Sequence, residues 1–159
     1  MDSDGGAGEL LRHQESAAIP AGQMCSDARR DRRATVGRLG EALAAEHLER
    51  LGFVVLARNA RTSAGEIDLV ALDGRALGRA LVFVEVKARV CATRAAARET
   101  PLSGLRHSQR LRLRRAAATW LRERGGQRPA AAVLRFDAVG VLLDRRGRLV
   151  RLEHIEGAW

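Results

Sequence analysis

One apolar segment near the middle of the chain carries two charges of opposite sign. Residues 81–87 read Leu-Val-Phe-Val-Glu-Val-Lys, a composition that favours a β-strand at the centre of a sheet. Side chains alternate along a strand, so the valines fall on one face while Phe83, Glu85 and Lys87 fall on the other. A chain that places an acid and an amine in its most apolar strand must fold so that both find partners.

Lys87 is the only lysine of the chain, and the other 27 of the 28 basic residues are arginines. An arginine stays charged under all relevant conditions and spreads its charge over a planar fork. An ammonium group is compact and its pKa can be lowered, so it can orient or deprotonate a water molecule. The retention of one amine at this position therefore indicates a chemical role for Lys87.

Hydrophobic periodicity predicts the remaining elements. A first helix is expected over residues 36–51, with Thr35 as its cap, and a second from a Ser103 cap to Arg124. Strands are expected at residues 53–57, 66–72, 81–88, 133–143 and 148–152. This order of elements predicts an α/β fold in which a small mixed central sheet is flanked by helices.

The first 33 residues differ in composition from the rest of the chain. Residues 1–33 are rich in Gly, Ser, Ala, Asp and Arg without a sustained period, which predicts a disordered N-terminal tail before a folded domain at residues 34–159. They contain no long apolar stretch of the kind found in signal peptides or membrane spans, so we expect a cytoplasmic protein without a membrane partner. Cys25 and Cys91 lack the spacing of a disulfide framework or a zinc site.

The charge of the chain indicates a polyanionic partner. The formal net charge is +9 and the isoelectric point is about 11.4, and nucleic acid is the commonest partner of such proteins. A general compositional bias towards arginine and alanine would give the same charge without any binding role. Aromatic residues make up only 3% of the chain, which favours contacts to backbone phosphates over stacking on bases.

Three acids and the lysine form a candidate catalytic set. Asp68 lies in a predicted strand next to that of Glu85, where unpaired carboxylates are costly to bury, and both could converge on one cation. Glu41, on the sheet-facing side of the first helix, could supply a third acid. Mg²⁺ suits such a site, since it is commonly held by one or two carboxylates together with waters and substrate phosphate. Lys87 would then position or deprotonate the water that the metal activates.

A structural alternative exists for the same residues. Glu85 and Lys87 could form a simple salt bridge, with Asp68 paired to an arginine. For any one of these residues alone, the salt bridge is the more natural interpretation. The ordered set of three acids with the sole lysine instead favours the metal site.

The chain carries an ordered set of short motifs: Gly40-Glu41, Gly52-Phe53, Asn59, Gly65-Glu66-Ile67-Asp68-Leu69-Val70, Val82-Phe83-Val84-Glu85-Val86-Lys87-Ala88-Arg89 and Arg135-Phe136-Asp137. These motifs resemble the YraN family of bacterial proteins, which is similar to Holliday-junction resolvases within the PD-(D/E)xK nuclease superfamily. The resemblance covers residues 37–141.

The resemblance implies a restriction-endonuclease-like core, so that residues 34–159 would be a nuclease-like domain. It also implies Glu41, Asp68, Glu85 and Lys87 as catalytic positions, with the three acids holding Mg²⁺, or Mn²⁺ as an alternative. Two departures stand out. Ile67 occupies the superfamily's nominal proline position, and the second helix lacks the lysine-glutamine pair common among relatives, reading Arg106-His107-Ser108-Gln109-Arg110 instead.

Three functions compete on this basis. The first is a metal-dependent endonuclease acting on phosphodiester bonds of structured or branched DNA, with Arg89, Arg106 and Arg110 as phosphate contacts and a homodimer as the expected assembly. The second is a non-catalytic nucleic-acid-binding module that retains the nuclease fold. The third is a basic adaptor whose affinity is only compositional. The complete acidic set with Lys87 favours the first, because a degenerate nuclease is expected to lose at least one of these groups.

Overall fold

The computed structural model describes residues 21–75, 79–91, 93, 98, 100–103, 105–127 and 129–159, and for residues 21–28 it describes the backbone alone. In chain order the elements are α1 (Ala21–Arg50), β1 (Phe53–Thr62), β2 (Gly65–Asp73), β3 (Ala80–Val90), α2 (His107–Arg124), β4 (Val133–Leu143) and β5 (Leu149–Ile155). A short 3-10 helix, Gly125–Gln127, follows α2.

The strands form one mixed sheet in the order β1-β2-β3-β4-β5. Neighbouring strands are antiparallel except for β3 and β4, which run parallel along their whole length. Parallel neighbours require a crossover connection, and α2 lies within it. The strand that carries Glu85 and Lys87 is therefore central, as its composition predicts. The predicted fold class, a small mixed sheet flanked by helices, is confirmed.

The sheet has a hydrophobic cluster on each face. On the α1 side, Val82, Val84 and Val86 pack with buried residues of α1 such as Ala44 and Leu48. On the α2 side, Phe83 packs against Trp120, with ring centroids 5.7 Å apart in an edge-to-face arrangement. The alternation predicted for β3 is thus confirmed, and Glu85 and Lys87 follow Phe83 on the α2 side of the strand.

The beginning of the first helix was predicted wrongly. Helix α1 starts at Ala21 rather than at Val36, so the expected boundary between tail and domain at residue 33 falls inside it. Thr35 does not cap the helix, because its hydroxyl donates a hydrogen bond of 2.9 Å to the carbonyl of Asp31, one turn earlier. Residues 21–33 are therefore helical, and residues 1–20 of the expected tail lie outside the described residues.

The cap predicted for the second helix is also wrong. Ser103 lies in a turn, and α2 begins at His107 after the extended residue Arg106. The backbone N–H of Arg106 donates to Oε1 of Gln109 at 3.0 Å, which closes the first turn of the helix. Leu102 in the preceding turn is buried and lies beside Gly140 of β4. Strand β4 matches its predicted bounds, whereas β1, β2, β3 and β5 extend beyond theirs.

Within the described residues, neither helix is both long enough and apolar enough to cross a membrane.

Helix α1 is held against β3 at a point where only glycine fits. A Cβ added at Gly40 would lie inside van der Waals contact with Cβ of Ala88 on β3, and 3.5 Å from the Ala88 Cα. One turn earlier, a Cβ at Gly37 would meet nothing closer than the Glu41 carboxylate, at 3.9 Å. Gly40 therefore fixes how closely α1, with the neighbouring Glu41, approaches the sheet.

The substitution Gly40→Ala should destabilise the protein by about 1–3 kcal/mol, because the added methyl group forces α1 away from Ala88. Gly37→Ala is the matched control. The same change there should raise the free energy of unfolding by up to about 1 kcal/mol, since alanine is the better helix former. Urea unfolding measures both, and a neutral Gly40→Ala variant would contradict the close approach.

Candidate active site

The candidate site lies where β2 and β3 separate. Their backbone pairing runs from Asp73↔Ala80 to Leu69↔Val84 and is not continued by the next residues, Asp68 and Glu85. The backbone N–H of Val86 instead donates a hydrogen bond of 2.7 Å to Oδ2 of Asp68. A buried N–H must find an acceptor, and here a side-chain carboxylate supplies it. The Asp68 carboxylate is thereby fixed beside the edge of β3.

The strand on the other side of Asp68 is also irregular. The pairs Arg58↔Leu69 and Ala60↔Ile67 place Asn59 across from Asp68. Asn59 has a φ angle of 49°, a left-handed conformation that asparagine tolerates better than most residues. The irregular backbone at Asn59 therefore coincides with the point at which β2 leaves β3.

Glu85 and Lys87 form an ion pair at the edge of this opening. Nζ of Lys87 lies 2.7 Å from Oε1 of Glu85, whose side chain is 7% exposed, whereas that of Lys87 is 29% exposed. A second cation, the guanidinium of Arg112 on α2, lies 3.9 Å from the same oxygen. The buried negative charge of Glu85 is therefore balanced from two elements, while the Lys87 ammonium keeps access to solvent.

The acids of the site act on one another electrostatically. Burial is the main cause that raises the pKa of Asp68, to about 6. The neighbouring carboxylates of Glu85 and Glu41 raise this pKa further, while the N–H of Val86 and the charge of Lys87 act in the opposite direction. Glu85, Glu41 and Lys87 thus each lie within electrostatic range of Asp68, so the structure brings the predicted set together around this carboxylate.

The donor set fits a metal held by two carboxylates rather than by a complete protein cage. Among the described residues, no group of three or more His, Cys, Asp or Glu side chains is arranged to hold a metal ion. The hydrogen bond to Asp68 uses Oδ2 and both ion pairs of Glu85 use Oε1, so Oδ1 of Asp68 and Oε2 of Glu85 accept no hydrogen bond from the described residues. Two free carboxylate oxygens beside an exposed amine are compatible with Mg²⁺, which retains several waters.

Comparison with known sequences assigns the chain to a family. The signature described as "Uncharacterised protein family UPF0102" matches residues 40–141, which span the candidate site from Glu41 to Lys87. This chain belongs to the UPF0102 family. The YraN resemblance is thereby confirmed, because the two names denote one family.

Individual UPF0102 relatives match over nearly their whole length. A UPF0102 protein of Pelotomaculum thermopropionicum is 43% identical over 129 residues, which cover 81% of this chain and 98% of the relative. One from Streptomyces griseus is 46% identical over 125 residues, covering 79% of this chain and 96% of the relative. One from Moorella thermoacetica is 43% identical over 123 residues, covering 77% and 93%. These matches establish the family, and the names of these relatives assign no activity.

The arginines predicted as phosphate contacts occupy three different environments in this UPF0102 chain. Arg89 donates to the carbonyl of Thr100 at 2.7 Å, so it ties the end of β3 to the connection that follows. Arg106 is exposed at the start of α2. Arg110 stacks over the Trp159 ring, with its guanidinium carbon 5.5 Å from the ring centroid.

Arg112, which sequence reasoning did not single out, is the α2 arginine that lies near a catalytic candidate. The position of Arg112 in the helical period could have predicted that its side chain faces the sheet. Arg112 lies four residues before the buried Ala116, so the helical period turns it towards the sheet.

A second group of buried charges in this UPF0102 chain is structural. Arg135 donates to both carboxylate oxygens of Asp137, at 2.9 Å each, and to Oδ2 of Asp73 at 2.9 Å. Nε2 of His154 and the N–H of Gly157 also contact Asp137, at 3.0 and 2.9 Å. Burial acts to raise the pKa of Asp137, but these hydrogen bonds outweigh it and lower the pKa. Arg135 and Asp137 thus form a structural ion pair.

The raised pKa of Asp68 predicts how stability depends on pH in the absence of divalent metal. The folded state binds the Asp68 proton more tightly than the unfolded state, whose ordinary pKa is 3.8. The stability contribution of this group therefore falls as pH rises from about 4 to about 6 and stays low above that. Asp68→Asn should remove the penalty and stabilise the protein at pH 8 by about 1–3 kcal/mol, because the amide oxygen still accepts from Val86.

Urea unfolding at pH 5 and pH 8 with a chelator measures this effect. Asp137→Asn is the contrasting variant. It removes the charge of the fully buried carboxylate that pairs with the half-buried Arg135 and should destabilise the protein at both pH values. A loss of stability in Asp68→Asn at pH 8 would contradict the electrostatic description of the site.

Proposed function

We propose that this protein is a metal-dependent endonuclease that hydrolyses phosphodiester bonds in structured or branched DNA. One observation carries the proposal: Asp68, Glu85 and Lys87 converge where two central strands separate, within electrostatic range of Glu41. A purely structural site would be expected to neutralise its buried acids, as the network around Asp137 does. The site around Asp68 instead leaves negative charge in excess, which a divalent cation would relieve.

Each residue has a separate role in this proposal. The free oxygens of Asp68 and Glu85 would hold Mg²⁺, with Mn²⁺ as an alternative, and Glu41 would bind through a water or complete the set. When bound, the metal supplies Lewis-acid stabilisation of the phosphate and a water of lowered pKa. Lys87 is partly exposed beside Glu85, and its ammonium would orient the attacking water, or its neutral amine would accept the proton of that water.

The charge distribution supports a nucleic-acid substrate. The net charge of +9, Arg112 beside Glu85 and the exposed Arg106 at the start of α2 suit contacts to phosphates. A homodimer would suit a branched substrate, since two symmetric cuts require two sites. The choice of DNA rather than RNA follows from the resemblance to resolvases.

The ion pair between Lys87 and Glu85 favours one alternative function. At 2.7 Å it balances one of the two acids without any metal. A non-catalytic nucleic-acid-binding module that retains the nuclease fold could use the same arrangement for stability alone. The two functions differ in whether the acids are needed for turnover.

Removal of either central acid should abolish cleavage. Asp68→Ala and Glu85→Ala each delete a proposed metal ligand, so cutting of labelled four-way, flap, nicked and linear DNA with Mg²⁺ should fall at least ~100-fold. Glu46→Ala is the matched control, since Glu46 is exposed and pairs only with Arg50, and its activity should equal that of the unchanged protein. Equal cutting by all three variants would assign the activity to a contaminant. Binding without cutting by any preparation would favour the non-catalytic module.

Replacement of the lysine should separate chemistry from binding. Lys87→Arg keeps the positive charge beside Glu85 but cannot readily accept a proton, so cleavage should fall roughly 100-fold or more. Affinity for the same DNA, measured by fluorescence anisotropy with Ca²⁺ in place of Mg²⁺, should change by less than about threefold. Full activity of Lys87→Arg would remove Lys87 from the proton-transfer step.

A further inference from the structure

Helix α1 carries a basic face on the segment that precedes the UPF0102 signature. Arg29, Arg32, Arg33 and Val36 are spaced by three, four and seven residues from the first, which places them on one side of the helix. The three arginines are exposed. In the part of the chain that the structure describes, no carboxylate lies within ion-pair distance of any of them. Their charges are therefore available for a partner.

This basic face forms one wall of a groove. The opposite wall is the end of β3, with Ala88, Arg89 and Val90, and the groove has a volume of about 530 Å³. Ala88, Val90 and Val36 are partly buried and pack against the hydrophobic cluster under α1, so this part of the lining is apolar. The remaining lining residues are Arg29, Arg32, Arg33 and Arg89. The groove thus combines an apolar lining with concentrated positive charge.

The groove shares both of its elements with the candidate active site. Its wall on α1 leads to Glu41 in the same helix, and its wall on β3 starts at Ala88, which follows Lys87 but packs on the α1 side of the sheet, whereas Lys87 lies on the α2 side. The close contact between Gly40 and Ala88 fixes the two walls relative to each other. From Arg33 and Arg29 to Glu41, the helical rise of 1.5 Å per residue gives roughly 12 and 18 Å.

These dimensions and charges match the backbone of a nucleic-acid duplex. Arginine binds phosphate through a planar fork, and several arginines along a groove neutralise successive phosphates without reading sequence. Phosphates of one strand advance about 3.4 Å along a duplex axis per base pair. A distance of roughly 12–18 Å along α1 from Glu41 therefore corresponds to about four or five base pairs.

We propose that the groove between α1 and the end of β3 binds the phosphate backbone of the substrate duplex, about four or five base pairs from the phosphate at the acids. The inference rests on the proposed function for the position of the cut, while binding in the groove requires no catalysis. The duplex thereby engages the protein through the helical segment that precedes Val36 as well as through the acids.

The test compares two triple variants that lose equal charge. Arg29→Gln/Arg32→Gln/Arg33→Gln removes the groove arginines and keeps helix propensity. Arg79→Gln/Arg122→Gln/Arg124→Gln removes three charges around the beginning of β3, the end opposite Lys87. Affinity for a blunt duplex is measured by fluorescence anisotropy over a range of salt concentrations in EDTA, so cleavage does not occur. Circular dichroism and urea unfolding check that both variants fold.

The groove variant should bind more weakly and with a smaller dependence on salt. Each lost phosphate contact lowers the slope of log K against log[salt] by about 0.9, so the slope should fall by about 2–3 in the groove variant and by less than 1 in the control. Ethylation interference should map the affected phosphates about four or five base pairs from the Mg²⁺-dependent cut. Equal slopes in the two variants would overturn the inference, as would a groove variant that loses binding to anionic lipid vesicles but not to DNA.

The two proposals can fail separately. If no preparation cuts DNA but the groove variant alone loses affinity and salt dependence, the nuclease function fails and the groove assignment stands. If the unchanged protein and the groove variant cut and bind alike, the nuclease function stands and the groove assignment fails.

Discussion

The hydrogen bond from the Val86 N–H to the Asp68 carboxylate is the contact on which the candidate site depends. Up to Leu69 and Val84, β2 and β3 pair through their backbones, and beyond that point a side chain takes over the role of the neighbouring strand. The sheet therefore opens without leaving a buried N–H unsatisfied. Because a side chain replaces the neighbouring strand as hydrogen-bond acceptor, an acid can lie at the middle of the sheet. One of its carboxylate oxygens accepts from the protein, and the other accepts no hydrogen bond from the described residues.

Two buried aspartates show how differently the same fold treats a carboxylate. Asp137 is surrounded by donors, above all the two-pronged contact with Arg135, and its pKa is lowered. Asp68 receives one N–H and lies near two further acids, and its pKa is raised. The first arrangement stabilises the fold at neutral pH, whereas the second opposes it. Sites that weaken a fold in this way are commonly kept for binding or chemistry.

The sequence predicted the sheet and its charged centre well because both follow from short periodic patterns. The alternation along β3 was enough to place Glu85 and Lys87 on one face, and β4 was predicted residue by residue. Helix ends were predicted poorly because Thr35 and Ser103 resemble caps only locally. In the structure Thr35 bonds back to its own helix, and Ser103 lies in a turn next to the buried Leu102. The contact of Arg112 with Glu85 depends on how α2 packs across the sheet.

Because α1 is one uninterrupted helix of 30 residues, the arginines near its beginning and Glu41 further along are parts of a single rod. Helical rise alone determines the span between them, and no hinge intervenes in which that span could stretch. The helix therefore sets a fixed distance between these residues, and its close contact at Gly40 holds it against the sheet. A nucleic acid bound along α1 would be presented to the acids at a fixed distance, whatever its base sequence.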